Sequence, residues 1–361
     1  MTERAPYGRR KRRDEDLSAN ADSPRDSRPY RNETYYGRPS IKPSHWGWLI
    51  AGYYFTGGLG GGAQVIATVV DLASPERDRT IVRAGRYISL AALLASPPLL
   101  IADLHTPVRF YNMLRIVRPT SPMSIGSWAL SVFGLFAGLT AVAQGVEDLT
   151  GSTVARRAAR WLSVPAAGMG MVMAGYTGAL SAATSVPLWA AIPRALPTLF
   201  GLASTASALA AITLAAEARN APEGTQHRLE RLSLIIGVGE LALHAIISQI
   251  WRARDVAGPI ETPKLGALHK YGMVGLGAAL PVAIHAAQQL TGRRSRTGTI
   301  IAAAATLAGV FIERLVIVFG GNESARSATD YLRFTQPRKP RMGQNRIVSD
   351  DGETQSGTTN R

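Results

Sequence analysis

Six histidines and no cysteine bound the chemistry open to this 361-residue chain. Without a thiol there is no disulfide, no thiolate nucleophile, no cysteine-ligated zinc and no iron–sulfur cluster held by the chain itself. What remains is imidazole, phenol and carboxylate, and these fall inside or at the ends of apolar stretches. One set comprises His45, then Asp103 and His105 with Arg109 close behind, Tyr176, the i, i+4 pair Glu240 and His244, His269 with Lys270, and Glu313 with Arg314. A second set comprises Gln64, Asp71, Gln144, Glu147, Asp148, His285, Gln288 and Gln289. Ionisable groups in apolar segments are functional candidates by default, because burying them unpaired is costly. The first set suits a quinone headgroup, whose two ring oxygens need hydrogen-bond partners and a proton acceptor beside an apolar cleft for the tail. His45 and Tyr176 fit the first need and Asp103 the second. Simpler readings exist for each. His45 beside Trp46 and Trp48 also fits an interface anchor, Tyr176 an interhelical hydrogen bond, and Glu240 and His244 a pair that satisfies itself.

The elements that must position these residues are helices. The composition, 46% hydrophobic and 18% charged, resembles that of a soluble enzyme. The charge is unevenly placed, however: residues 1–44 and 320–361 hold 18 of the 40 Lys and Arg. Between them lie apolar runs of about twenty residues, long enough to cross a bilayer, at approximately 46–70, 87–104, 125–146, 161–183, 195–216, 232–250, 268–290 and 298–319. The pattern predicts an all-α polytopic integral membrane protein. Its eight transmembrane helices form one bundle over 45–320, flanked by charged, disordered tails at 1–44 and 321–361.

An even number of spans puts both tails on one side. Counting along each span places the first set of polar residues on the tail side and the second on the opposite side. The odd-numbered loops carry more Lys and Arg than the even-numbered ones, which predicts tails on the outer side; the basic tails argue the other way. The run Arg9-Arg10-Lys11-Arg12-Arg13 runs straight into Asp14-Glu15-Asp16 with no apolar segment close behind, so it reads as solvated tail and not as a cleavable signal. The net charge of +15 flanks apolar spans, so no nucleic-acid partner is expected.

Gly57, Gly58, Gly60, Gly61 and Gly62 follow no strand, so they favour close helix approach over phosphate binding. Pro97-Pro98 predicts a kink or local unwinding. A bound haem would need facing histidines at matched depth, and His244 and His285 differ in depth. Neither haem nor a metal ion is expected in this protein. Two rival classes are a secondary transporter, for which no matching second helix break exists, and a passive anchor that binds no quinone.

Longer strings carry a resemblance. Tyr35-Tyr36-Gly37-Arg38-Pro39 leads into His45-Trp46-Gly47-Trp48. Asp103-Leu104-His105-Thr106-Pro107-Val108-Arg109-Phe110-Tyr111-Asn112 runs on to Ser121-Pro122-Met123, and Gly175-Tyr176-Thr177-Gly178 precedes Thr184-Ser185-Val186-Pro187-Leu188-Trp189. Over roughly residues 35–320 the sequence resembles the NrfD/polysulfide reductase membrane-subunit family. That resemblance implies a quinone- or quinol-binding subunit of the bacterial cytoplasmic membrane that carries no redox centre of its own. It implies partners too: a four-cluster ferredoxin-like iron–sulfur subunit linked to a molybdopterin or multihaem catalytic subunit, with membrane lipid around the bundle and possible proton translocation. It assigns the headgroup to His45 and Tyr176, proton handling to Asp103 and a structural or docking role to Arg109. Glu240 and His244 are further cofactor-binding candidates from their own position and chemistry. The long charged N-terminal tail departs from short-tailed members.

Overall fold

A computed structural model describes residues 41–74 and 78–335. The basic run 9–13 and most of both expected tails lie outside the described residues. Eight long helices follow one another with short connections: α1 Trp48–Ala73, α2 Arg79–Ala102, α3 Pro122–Thr150, α4 Thr153–Ala182, α5 Ala195–Ala218, α6 Glu223–Ala253, α7 Pro263–Thr291 and α8 Arg296–Arg326. A short helix, α9 Ala328–Thr335, follows them, and no strand occurs among the described residues. Six of the eight, α2, α3, α5, α6, α7 and α8, are long and apolar enough to cross a membrane. The glycine run dilutes α1, and Arg156, Arg157 and Arg160 load the first turns of α4.

The helix ends are written in the sequence. Ser121, Ser152 and Ser295 cap α3, α4 and α8 by accepting from the backbone N–H three residues on. Gly151 and Gly292 end α3 and α7 in the left-handed conformation that favours glycine. Unwinding at Pro97-Pro98 does not occur: α2 continues through both prolines, and Ser96 donates to the Ala92 carbonyl at 2.8 Å. Within α7, Leu268–Ala279 widens to a π-helix.

The bundle keeps an apolar core but, unlike a soluble one, also turns large apolar side chains outward and buries several charged ones. Large apolar side chains such as Leu135, Leu139 and Val142 on α3, and Ile235, Val238 and Ile246 on α6, face outward. Gln64, Arg86, Glu240, His244 and Arg314 lie inside. Outward apolar and inward polar residues suit a lipid solvent, in which helices hold together by close approach and hydrogen bonds. Two glycine contacts allow that approach. A Cβ on Gly61 of α1 would stand 2.4 Å from the Gly170 carbonyl oxygen of α4, and one on Gly309 of α8 would stand 1.9 Å from the Cα of Gly277 in α7. Three indoles tie the tail-side end together. Trp189 donates to the Ile317 carbonyl and Trp251 to the Leu188 carbonyl, each at 2.8 Å, while Trp46 stacks on Trp189 at 5.6 Å.

Beyond the last span, Asp330 in α9 is buried, with its Oδ2 lacking a hydrogen-bond partner among the described residues. Burial pushes its carboxyl up to about 6. A carboxyl raised on folding opposes folding once it must ionise. The penalty is absent below its ordinary value of about 4 and complete above about 6. Asp330→Asn is therefore expected to raise the Tm at about pH 8, with the gain vanishing near about pH 4. Thermal melts of both proteins at the two pH values check this.

Candidate functional site

The residues expected to act together do converge in part. His45 lies just before α1, and Asp103 is the C-terminal cap of α2. His45 Nε2 lies 3.3 Å from Asp103 Oδ2, and the His45 and His105 rings meet edge to face at 5.6 Å. Burial holds the Asp103 carboxyl above its ordinary value, opposed by His45 and His105. His45 itself is half exposed, so the pair sits at a mouth and not in a sealed core.

Below this mouth is a small cavity of about 30 Å³. Trp46, Tyr53 and Tyr54 of the first segment line it, as do Leu100 of α2, Met113 from the following loop, Gly126 and Ser127 of α3 and Tyr176 of α4. His45 neighbours Trp46 in sequence and Asp103 lies one turn past Leu100, which places the His45–Asp103 pair at this end of the cavity. Tyr176 donates to the Pro122 carbonyl. Its ring fits only because residue 126 is glycine: a Cβ there would lie 2.4 Å from the phenol oxygen. Tyr54 is within hydrogen-bond distance of Ser181 at 3.3 Å.

Leu100, Met113 and Ser127 also belong to a second hollow, an apolar groove of about 380 Å³ between α2, α3 and their connecting loop. Pro97 and Pro98 form part of its floor, and Leu94, Phe110 and Leu114 stand exposed at its edge. The volume falls within the range of small-molecule sites. The groove thus lies against the cavity that holds the Tyr176 phenol, with Leu100, Met113 and Ser127 as their common wall.

The other expected residues lie elsewhere. Arg109 is exposed in the turn Pro107–Arg109 and makes no ion pair with a described residue. Glu240 and His244 do not line the cavity. They form a buried group with Glu313 and Arg314 of α8, in which His244 Nε2 is 3.7 Å from Glu240 and 3.5 Å from Glu313. Arg314 donates to Glu313 at 2.8 Å and lies 3.7 Å over the Phe200 ring; Phe200 in turn packs against Tyr54. The group therefore sits one side-chain layer behind the cavity wall. Its three donor atoms from Glu240, His244 and Glu313 lie within 4.8 Å of one another, close enough for a metal ion on distance alone.

The opposite end of the first four helices holds an ion-pair network. Arg86 donates to Asp71 at 2.9 Å and to Gln144 at 2.6 Å; Arg160 also meets Asp71. Arg79 pairs with Glu147, while Arg83 and Tyr87 bond Asp148. Hydropathy singles out the acids but not these partners, because an apolar window excludes the charged first turns of α2. The signal lies in the spacing of Arg79, Arg83 and Arg86, which marks one helix face. Tyr53 and Tyr54 escape notice for another reason: in a glycine-rich helix they look like packing residues.

The family model described as "Polysulphide reductase, NrfD" matches residues 39–324. A curated relative, the C subunit of polysulfide reductase from Wolinella succinogenes, is 27% identical over 303 residues, covering 76% of this protein and 94% of the relative.

Proposed function

This protein belongs to the NrfD polysulphide reductase family, and from that premise we propose that it is the quinone-binding membrane subunit of a respiratory oxidoreductase. All eight long helices would cross the membrane, with 45–320 as the membrane domain and the two tails on the outer face of the bacterial cytoplasmic membrane. The observation that carries this reading is the junction of two unlike hollows. One is an apolar groove with exposed leucine at its edge; the other is a cavity bearing a phenol, with a His–Asp pair at its mouth.

The residues present suit a quinone. The groove has the size and apolar lining for an isoprenoid tail; Tyr176 lines the cavity behind its wall, and His45 and Asp103 pair close by. When bound, the quinone or quinol supplies two-electron, two-proton redox chemistry. Tyr176, turning its phenol O–H from the Pro122 carbonyl, and His45, with its imidazole, meet the two ring oxygens. Asp103, partly buried and with a raised carboxyl, exchanges a proton with His45 across 3.3 Å. Glu240 and His244 act from behind Tyr54 and Phe200, through the charge they place beside the wall, and do not touch the headgroup.

No cysteine is present to hold a cluster, so electrons pass directly between the pocket and a partner. We assign that role to a four-cluster ferredoxin-like iron–sulfur subunit joined to a molybdopterin or multihaem catalytic subunit. The loop between α2 and α3 exposes Val108, Tyr111, Ile116 and Val117 beside Arg109, an apolar and basic surface suited to docking next to the pocket.

Fluorescence-quench titration of the purified protein with a quinol analogue tests the site. Saturable binding is expected, weakened by about tenfold in both His45→Ala and Tyr176→Phe, the loss of one hydrogen bond each. Binding unchanged in both variants would move the headgroup elsewhere. Absence of binding even with the iron–sulfur partner present would favour a passive anchor.

A further inference from the structure

The buried and partly buried carboxylates described at the face opposite the pocket are neutralised by neighbours. Asp71 has Arg86 and Arg160, Glu147 has Arg79, and Asp148 has Arg83. Across the second half of the bundle, Glu217 and Glu230 share Arg294 and Arg296. The cluster of Glu240, His244, Glu313 and Arg314 differs. It is almost wholly buried, and it sets two carboxylates against one guanidinium.

The groups facing it from each packed element do not close the deficit. α5 offers the Ser204 hydroxyl and the Phe200 carbonyl to Arg314, and the Tyr54 phenol of α1 lies within electrostatic reach of it. α7 brings His269 within electrostatic reach of His244. With a neutral imidazole the cluster carries one net negative charge, which a low-dielectric interior strongly disfavours. One added proton brings it to zero. A divalent cation would overshoot to a net positive charge beside Arg314, so charge balance selects a proton over a metal ion, although the donor spacing alone would admit either.

The cluster also has room and orphaned atoms for proton exchange. Both His244 ring nitrogens and Glu313 Oε2 lack hydrogen-bond partners among the described residues. Against Glu240 lies a cavity of about 20 Å³, above the roughly 10–15 Å³ that one water needs. Thr213, Thr306 and His285 line it, and Thr213 Oγ1 and His285 Nδ1 are likewise without partners. Past His285 come Gln288, then Thr299 bonded to Glu230, then Arg294 at the far face. The polar column thus leads away from the quinone pocket. On the pocket side, Arg314 and Phe200 stand between the cluster and Tyr54.

We propose that Glu240, His244 and Glu313 hold a single shared proton in the interior of the bundle, exchanged with the face opposite the quinone pocket through a water between Glu240 and His285. This goes beyond the quinone reading and stands without it, since it needs no bound quinone. The proton moves as such, with no electron transferred.

Infrared spectra of the full-length protein in lipid nanodiscs, metal-free and without quinone, test the proposal. In wild type, transfer to D2O is expected to shift a band of a protonated carboxyl or imidazolium. Glu313→Gln and Glu240→Gln each remove the charge deficit, so either variant alone is expected to lose that band. Thr213→Val, which keeps the side-chain shape but removes the orphaned hydroxyl, is expected to keep the band and slow its exchange by about tenfold, the effect of one lost hydrogen bond. The proposal is overturned if wild type lacks the band or if the band survives in a folded Gln variant. Equal exchange rates in wild type and Thr213→Val overturn the path. A stoichiometric divalent metal retained by the purified protein and lost in Glu313→Gln overturns the proton in favour of a metal site.

Discussion

Asp103→Asn is expected to lower quinone-linked electron transfer by about 10²-fold or more while leaving analogue binding within a few-fold of wild type, the signature of losing a general acid–base group and not a binding contact. Asparagine has the shape of aspartate and can still meet His45, which lies 3.3 Å away, but it cannot take up a proton. The effect should therefore fall on kcat. The pH profile gives a second readout. Burial raises the Asp103 carboxyl above the ordinary carboxylate range, so in the direction that needs a base the rate rises as pH passes upward through that raised value. The acid limb of the wild-type profile is expected to disappear in Asp103→Asn. Turnover of the assembled complex in membranes, followed across pH, measures both. A variant that loses binding and turnover in equal measure would make Asp103 a binding residue and reassign the proton.

The second large effect concerns the frame. A Cβ on Gly309 would meet the Cα of Gly277 at 1.9 Å and its backbone nitrogen at 2.6 Å, and neither atom can rotate out of the way. The contact lies on the π-helical stretch of α7, whose backbone would have to shift away from α8. Gly309→Ala is expected to cost about 3 kcal/mol, the upper end for overpacking. Gly138 of α3 is the control, with nothing within 4 Å of an added Cβ. Gly138→Ala is expected to leave stability unchanged or raise it by up to about 1 kcal/mol, through helix propensity alone. Apparent Tm values in one detergent separate the two, and equal melting temperatures would mean that α7 yields more easily than its packing implies.

Much of this arrangement is legible in the amino-acid sequence alone. Apolar run length and the Ser and Gly residues at helix ends mark the long helices, because in lipid each helix must satisfy its own backbone. The alternating direction of successive spans brings His45, Asp103 and Tyr176 to one end. What stayed hidden depends on contacts between distant helices. His244 can be read from the sequence only as the partner of Glu240, one turn away, whereas Glu313 and Arg314 reach it from α8. Arg86 falls just outside a span drawn by hydropathy, yet it is 2% exposed, since Asp71 and Gln144 make its burial tolerable. The fit of Tyr176 against Gly126 is a matter of a few ångströms that no spacing rule encodes.

The groove between α2 and α3 has its exposed edge at Leu94, Phe110 and Leu114, side chains that face lipid when α2 and α3 span a bilayer. A ligand admitted there is drawn from the plane of the membrane, so the quantity that sets occupancy is its mole fraction among the lipids and not its molarity in water. Diluting the bilayer with extra phospholipid should then lower saturation at constant total quinone, and affinities measured in different detergents become comparable only after each is divided by the volume of its apolar phase.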